Sequence, residues 1–178
     1  MEDSMKEIDI HEMKLNPFDL VGKDWLALAA GNETDGCNAM TVAWGQFGSI
    51  WKRNGHPGYL PTAICYVRPT RYTRQFVDKE DLFTLNHFPA AYRKALGYIG
   101  SHSGRNENKL ANAGLTPVYT DGTVTFKEAD LVFVCRKIYA QTLQEECFTD
   151  KELIDTNYPQ RDFHTMYIGE ILKVYRQE

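Results

Sequence analysis

Five apolar residues, Ala63-Ile64-Cys65-Tyr66-Val67, run into an abrupt stop at Pro69. Their β-branched and aromatic bias predicts a buried strand. Pro69 ends it and holds Arg68 extended. Thr70 then stands where a helix N-cap belongs, which predicts a short helix to about Val77. Three arginines (Arg68, Arg71, Arg74) and two threonines (Thr70, Thr73) thus gather where a strand meets a helix start. Unpaired N–H groups at such a start, with guanidinium forks beside them, suit an anion, most simply a phosphate. The same residues also fit a solvated helix start whose arginines pair with surface acids.

The rest of the chain supplies short strands. Trp25–Gly31 reads as a strand, Asn32–Gly36 as a turn, and Met40–Trp44 as an antiparallel return. Gly45–Pro61 reads as a long glycine-containing connection, a length often kept for binding. Leu82–Asn86 is a further strand. Pro89 opens a helix that runs through Ala90–Tyr98, and a second helix spans roughly Asn106–Asn112, ended by Gly114. Asp121-Gly122 between Val118-Tyr119 and Val124-Phe126 is a strong hairpin signal. Long strands follow at Leu131–Tyr139 and Met166–Ile171. Many short strands, several hairpins and two or three inserted helices predict a mainly β (α+β) fold, an antiparallel sheet closing into a barrel. With 178 residues the chain is expected to be one domain, residues 1–178, with 1–17 as a polar N-terminal extension.

Twenty basic and 24 acidic residues leave a net charge of −4, which argues against general binding to nucleic acid or anionic lipid. The arginine cluster is a local basic island in an acidic chain. No apolar run has membrane-spanning length, and Met1-Glu2-Asp3-Ser4 is not signal-like, so a cytoplasmic location is expected. Cys37, Cys65, Cys135 and Cys147 form no Cys-x-x-Cys pair, and no zinc-site spacing is present. Cys65 and Cys135 lie in apolar runs and are expected to pack as buried thiols.

Other candidates are weaker. Asn38 and Thr41 flank a strand start and offer short polar groups to a planar heterocycle, or simply satisfy a turn and face solvent. Ser101-His102-Ser103 sits in a glycine-rich bend. Its neighbours need not face one another, and a turn-and-cap role fits better than a nucleophile. Lys109 is a second phosphate partner or an ordinary helix lysine. His164, before the last strand, is a donor or general acid, or a partly buried structural histidine. Glu145-Glu146 and Asp150–Glu152 read as solvated surface.

Taken together, Asn38-Ala39-Met40-Thr41 with Trp44-Gly45, then Val67–Thr73, Phe83–Asn86, Ser103-Gly104-Arg105 with Lys109, and His164 ahead of Gly169-Glu170-Ile171 form an ordered set. In that order and spacing the chain resembles the flavin reductase-like, or flavoredoxin, family of FMN-binding split β-barrels from about Trp25 to Val174. The resemblance implies a Greek-key split barrel, a homodimer, and FMN near the subunit interface. It implies that Asn38, Met40 and Thr41 line the flavin, and that Cys65, Tyr66 and Val67 present strand backbone to the ring. Arg68, Arg71, Tyr72 and Thr73 would surround the ribityl phosphate, with Lys109 joining them, and Asn86 would meet the ring or ribityl side. Ser101, Ser103 and His164 are further transfers, His164 as the catalytic candidate. A bound flavin carries the redox chemistry itself, so neither nucleophile nor metal is required.

The implied activity is oxidoreduction, with electrons passing from a reduced nicotinamide dinucleotide through FMN to a second acceptor. The alternative is an FMN-binding electron carrier served by a protein donor. No G-x-G-x-x-G fingerprint stands at a strand–helix turn to mark a nicotinamide site, which keeps that alternative open. A related barrel binding haem or pyridoxal phosphate is a third reading.

Overall fold

The computed structural model describes residues 5–178; the acidic Met1–Ser4 stretch lies outside the described residues. Among the described residues there are ten strands: β1 (Met5–Ile8), β2 (Leu26–Asn32), β3 (Gly36–Val42), β4 (Gly45–Lys52), β5 (Tyr59–Val67), β6 (Leu82–His87), β7 (Pro117–Thr120), β8 (Thr123–Phe126), β9 (Leu131–Thr142) and β10 (Thr165–Gln177). The helices are α1 (Thr73–Lys79), α2 (Arg93–Ser101), α3 (Lys109–Asn112) and α4 (Glu152–Asn157), with short 3₁₀ turns and one π-helical turn, Asp19–Asp24, between them.

One antiparallel sheet runs in the order β3-β2-β6-β9-β10-β5-β4, and β1 adds to β10. The sheet curls so that alternate residues face inward, as a period-two pattern demands. Ala63, Cys65 and Val67 of β5 join Leu26, Leu28, Met40, Phe83, Leu85, Phe133 and Tyr167 in the barrel core. A second core lies on the outer face. There the small residues Ala27, Ala29 and Ala39 let α2 approach through Ala95, Leu96 and Ile99. The β7–β8 hairpin covers the same face with Val124 and Phe126. Asp121 and Gly122 turn it at φ 51° and 74°, the positive pair an Asp-Gly hairpin turn requires.

The sheet does not close. β3 pairs only with β2 on the described chain, leaving its other edge free. β4 pairs with β5 only as far as Gly45↔Cys65. Beyond that point no strand covers this side of Tyr66 and Val67. The opening between these two edges lies beside the arginine junction.

Four expectations are corrected. Gly45–Pro61 is not a long connection: it holds β4 and the start of β5, and only residues 53–58 form the turn. Two glycines and an irregularity at Trp51 (φ 58°) obscured the alternation, although Phe47 points inward onto Phe133, ring centroids 4.7 Å apart. Thr70 does not cap the helix. The chain makes a turn there, with Arg71 N–H donating to the Arg68 carbonyl (3.1 Å), and α1 starts at Thr73. The second short helix starts at Lys109, capped by the Asn108 side chain on Ala111 N–H (3.3 Å). The segment before β2 is also more than a polar extension: β1 joins the sheet, and Ile8, Ile10 and Met13 pack on the barrel core.

Candidate functional site

The chain leaving β5 and the end of α2 enclose a cleft of about 100 Å³. Thr70, Arg71, Tyr72 and Thr73 form one wall; Ser101, His102, Ser103 and Lys109 form the other; Met40 closes the end. Its frame is rigid. The Asn38 carboxamide, 3% exposed, donates to Thr73 Oγ1 (2.8 Å). Gly104 lies so close that a Cβ there would sit 2.5 Å from Asn38 Oδ1, so a larger residue would displace that carboxamide. Thr41 Oγ1 ties β3 to α2 by donating to the Leu96 carbonyl (2.5 Å).

Two cations face this cleft. Arg71 donates to the Gly100 carbonyl (2.7 Å). Lys109 Nζ donates to the carbonyls of Ile99 (2.9 Å) and His102 (3.1 Å). Both therefore sit on the C-terminal end of α2, whose partial negative charge attracts them. Neither is in an ion pair among the described residues. Lys109 is 3% exposed, and its third N–H has no protein partner among the described residues. Burial first, and the Arg71 charge second, push its pKa down to about 8. Carbonyl oxygens accept all the side-chain hydrogen bonds of these two cations among the described residues, and the Glu107 charge makes the smallest contribution at Lys109, opposing the other two.

Arg68 is turned elsewhere. It donates to Asp162 Oδ2 (2.5 Å) and the Asn157 carbonyl (2.7 Å) and lies over the Tyr158 ring. Arg74 pairs with Asp78 one helical turn on (3.3 Å). Of the three junction arginines, Arg68 and Arg74 are thus paired with acids, and Arg71 lines the cleft. Beside Arg68, His164 packs against Trp44 (4.7 Å between rings, planes tilted by 42°) and its Nδ1 meets the Tyr158 hydroxyl at 2.9 Å. Burial first, then the Arg68 charge, lower its pKa to about 4, with a smaller contribution from Arg71. His164 is a neutral imidazole at pH 7. Its Nδ1 shares a hydrogen bond with the Tyr158 hydroxyl, and the tautomer sets which of the two donates.

The structure therefore brings Asn38, Met40, Arg71, Tyr72, Thr73, Ser101, Ser103 and Lys109 to one place, with Thr41 behind them. Ser101 Oγ is already engaged with the Gly97 carbonyl (2.8 Å), while Ser103 lines the cleft. Cys65 and Val67 point into the core and can offer backbone only. For Tyr66 and Val67 that backbone borders the open edge. Asn86 is not brought to the cleft. It is fully buried and its carboxamide is committed to Ala27 O, Thr84 Oγ1 and Thr125 Oγ1. Sequence reading placed Thr70 at the anion junction as a helix cap and His102 in a turn-and-cap bend, and it missed the Trp44–His164–Tyr158 cluster. Trp44 was visible in the Trp-Gly pair, but Tyr158 is placed only by the return of the chain after α4.

An antiparallel sheet left open between β3 and the end of β5 is the split β-barrel of the flavin reductase-like and flavoredoxin structures. The chain superposes on an FMN-binding domain of a flavin reductase-like enzyme from Shewanella baltica at a TM-score of 0.64 and 15% identity, covering 97% of this chain and 76% of that one. Flavoredoxin of Desulfovibrio vulgaris gives 0.61 at 22% identity, covering 95% and 75%. The NADH:FAD oxidoreductase of Streptomyces globisporus gives 0.61 at 15% identity, covering 87% and 77%. No protein-family model matches the chain, and no curated protein matches it in sequence. At these identities the likeness is one of fold.

Proposed function

We propose that residues 1–178 form one FMN-binding domain, an oxidoreductase of the flavin reductase type that acts as a cytoplasmic homodimer. In this reading electrons pass from a reduced nicotinamide to a second acceptor. The observation that carries it is the cleft at Arg71 and Lys109, where two buried or half-buried cations share no carboxylate. A buried charge without a counter-charge is costly, and a phosphate monoester supplies the missing one. The donor set fits that group: a guanidinium, an ammonium with one free N–H, and the Thr70 and Ser103 hydroxyls.

The bound flavin supplies the redox chemistry. The chain's own residues hold and orient it. Arg71, Tyr72, Thr73 and Lys109 grip the phosphate, with Ser103 beside them. Asn38, Met40 and Thr41 border the flavin, and the uncovered edge at Tyr66 and Val67 offers main-chain donors and acceptors to the ring. With the Tyr158 hydroxyl donating to Nδ1, the neutral His164 presents Nε2–H as a hydrogen-bond donor. Arg68 acts on it through charge and not through the phosphate.

The printed names of the relatives support this reading, since they describe FMN binding, flavoredoxin and NADH:FAD oxidoreductase. The alternative is an electron carrier, favoured by the higher identity to a flavoredoxin and by the lack of a dinucleotide fingerprint. The test is a visible spectrum after FMN addition and removal of excess, followed by stopped-flow reduction with NADH or NADPH. Retained flavin bands and rapid reduction are expected. Reduction by dithionite but not by a nicotinamide makes the chain a carrier, and failure to bind FMN even at high concentration removes the flavin reading.

A further inference from the structure

A second cleft, of about 480 Å³, lies between the turn that carries Pro17, Phe18 and Val21 and the start of β4, with Trp44, Gln46 and Tyr66 on the far side. Its volume falls within the roughly 300–1,000 Å³ of small-molecule sites. It differs in kind from the cationic cleft, because no residue that lines it is charged.

The π-helical turn Asp19–Asp24 follows directly on Phe18, a residue 85% exposed. Trp44 is 44% exposed. These rings take no place in either core. An apolar ring held in water is unfavourable, and two of them lining one uncharged cleft make a stacking surface for a flat ligand. Polar selectivity comes from one group. Tyr66 donates its hydroxyl to Gln46 Oε1 (3.2 Å). That bond fixes the carboxamide and leaves the Gln46 amide N–H groups without a partner among the described residues, free to donate to a ligand carbonyl. Trp44 is also the ring that packs against His164, so an occupant here adjoins the proposed flavin face.

We infer that this cleft binds an uncharged planar aromatic carbonyl compound of one or two fused rings, stacked on Phe18 and Trp44 with its carbonyl on Gln46. As the seat of the second electron acceptor, the cleft rests on the flavin reading; as a binding site it stands independently. An anionic ligand is disfavoured because no cation answers it there.

The test is isothermal titration of the full chain with coumarin and with coumarin-3-carboxylate, before and after saturation with FMN. Coumarin is expected to bind saturably, one per chain, with the carboxylate at least tenfold weaker. Phe18→Ala, a change at an exposed position that leaves the melting temperature unaltered, is expected to weaken coumarin at least fivefold. Gln46→Leu is expected to weaken it further than it weakens naphthalene. FMN saturation is expected to leave coumarin binding in place. Absence of saturable binding, equal binding of the carboxylate, or insensitivity to Phe18→Ala overturns the assignment. Competition by FMN also overturns it and gives the cleft to the flavin ring. Because FMN binding is read by its own titration, failure here is separable from failure of the flavin reading.

Discussion

Arg68 and Arg71 stand three residues apart in the same turn, yet they meet opposite surroundings. Arg68 is matched: Asp162 supplies its counter-charge, and the Asn157 carbonyl and Tyr158 ring complete its contacts. Arg71 is unmatched: its hydrogen bond goes to a carbonyl, it is in no ion pair among the described residues, and its charge acts on another cation, Lys109. A matched arginine serves the fold, whereas an unmatched one beside a buried lysine leaves charge for a ligand. Sequence proximity to a binding motif therefore does not make an arginine a ligand residue.

The largest effect expected from this contrast is on cofactor affinity. Arg71→Ala is expected to weaken FMN by about 10- to 150-fold while riboflavin changes less than twofold, since a charge-assisted hydrogen bond is worth roughly 1.5–3 kcal/mol. Flavin fluorescence titration measures both, and equal losses would sink the phosphate assignment. Arg68→Ala is expected to act on the fold, lowering the melting temperature by about 2–4 °C, the scale of a modest destabilisation in a chain of this length. The FMN-to-riboflavin affinity ratio should stay where it was; a fall in that ratio as large as for Arg71→Ala would erase the distinction between the two arginines.

Lys109 gives a pH test. Its amine, lowered from 10.5 to about 8, is charged below pH 8 and neutral above. FMN affinity is expected to drop by up to tenfold per pH unit above about 8, with riboflavin affinity flat. Stability of the unliganded chain moves the other way. The unfolded amine holds its proton up to 10.5, so the folded state is penalised below pH 8 and gains as pH rises from 8 to 10.5. Lys109→Met should remove both slopes.

The smallest expected effect concerns His164. Its folded pKa of about 4 lies below the ordinary 6.5, so the unfolded chain binds more protons between these values. This contribution to stability is complete above pH 6.5 and is lost as pH falls to 4. Urea midpoints across that window should show the slope in the native chain and lose it in His164→Gln. Arg68→Ala should shallow it, because the Arg68 charge is the second cause of the depression.

Much of the architecture was legible locally. Val124 and Phe126 opposite Val118 and Tyr119, with Asp121-Gly122 between, specify their hairpin through short-range turn geometry. The core face of β5 follows from its alternation. β4 was hidden because Gly45 and Gly48 carry no side chain to mark a face, and β1 because four residues of mixed polarity become a strand only when β10 is there to pair with. In the site, the arginine cluster and Lys109 were visible as residue types. Asn86 was misplaced because its carboxamide is consumed by Ala27, Thr84 and Thr125, partners up to 59 residues away in sequence.

By itself, then, the sequence determined which segments are strands where the pattern is strong, where the tight turns fall, and that a cationic cluster follows β5. Those properties depend on backbone preference and side-chain spacing over a few residues. Only the tertiary structure decided which cations are left unmatched. That depends on Asp162 arriving from 94 residues away to meet Arg68, and on the end of α2 offering Arg71 and Lys109 carbonyls in place of a carboxylate. Charge compensation is a property of neighbours in space, and the fold alone selects them.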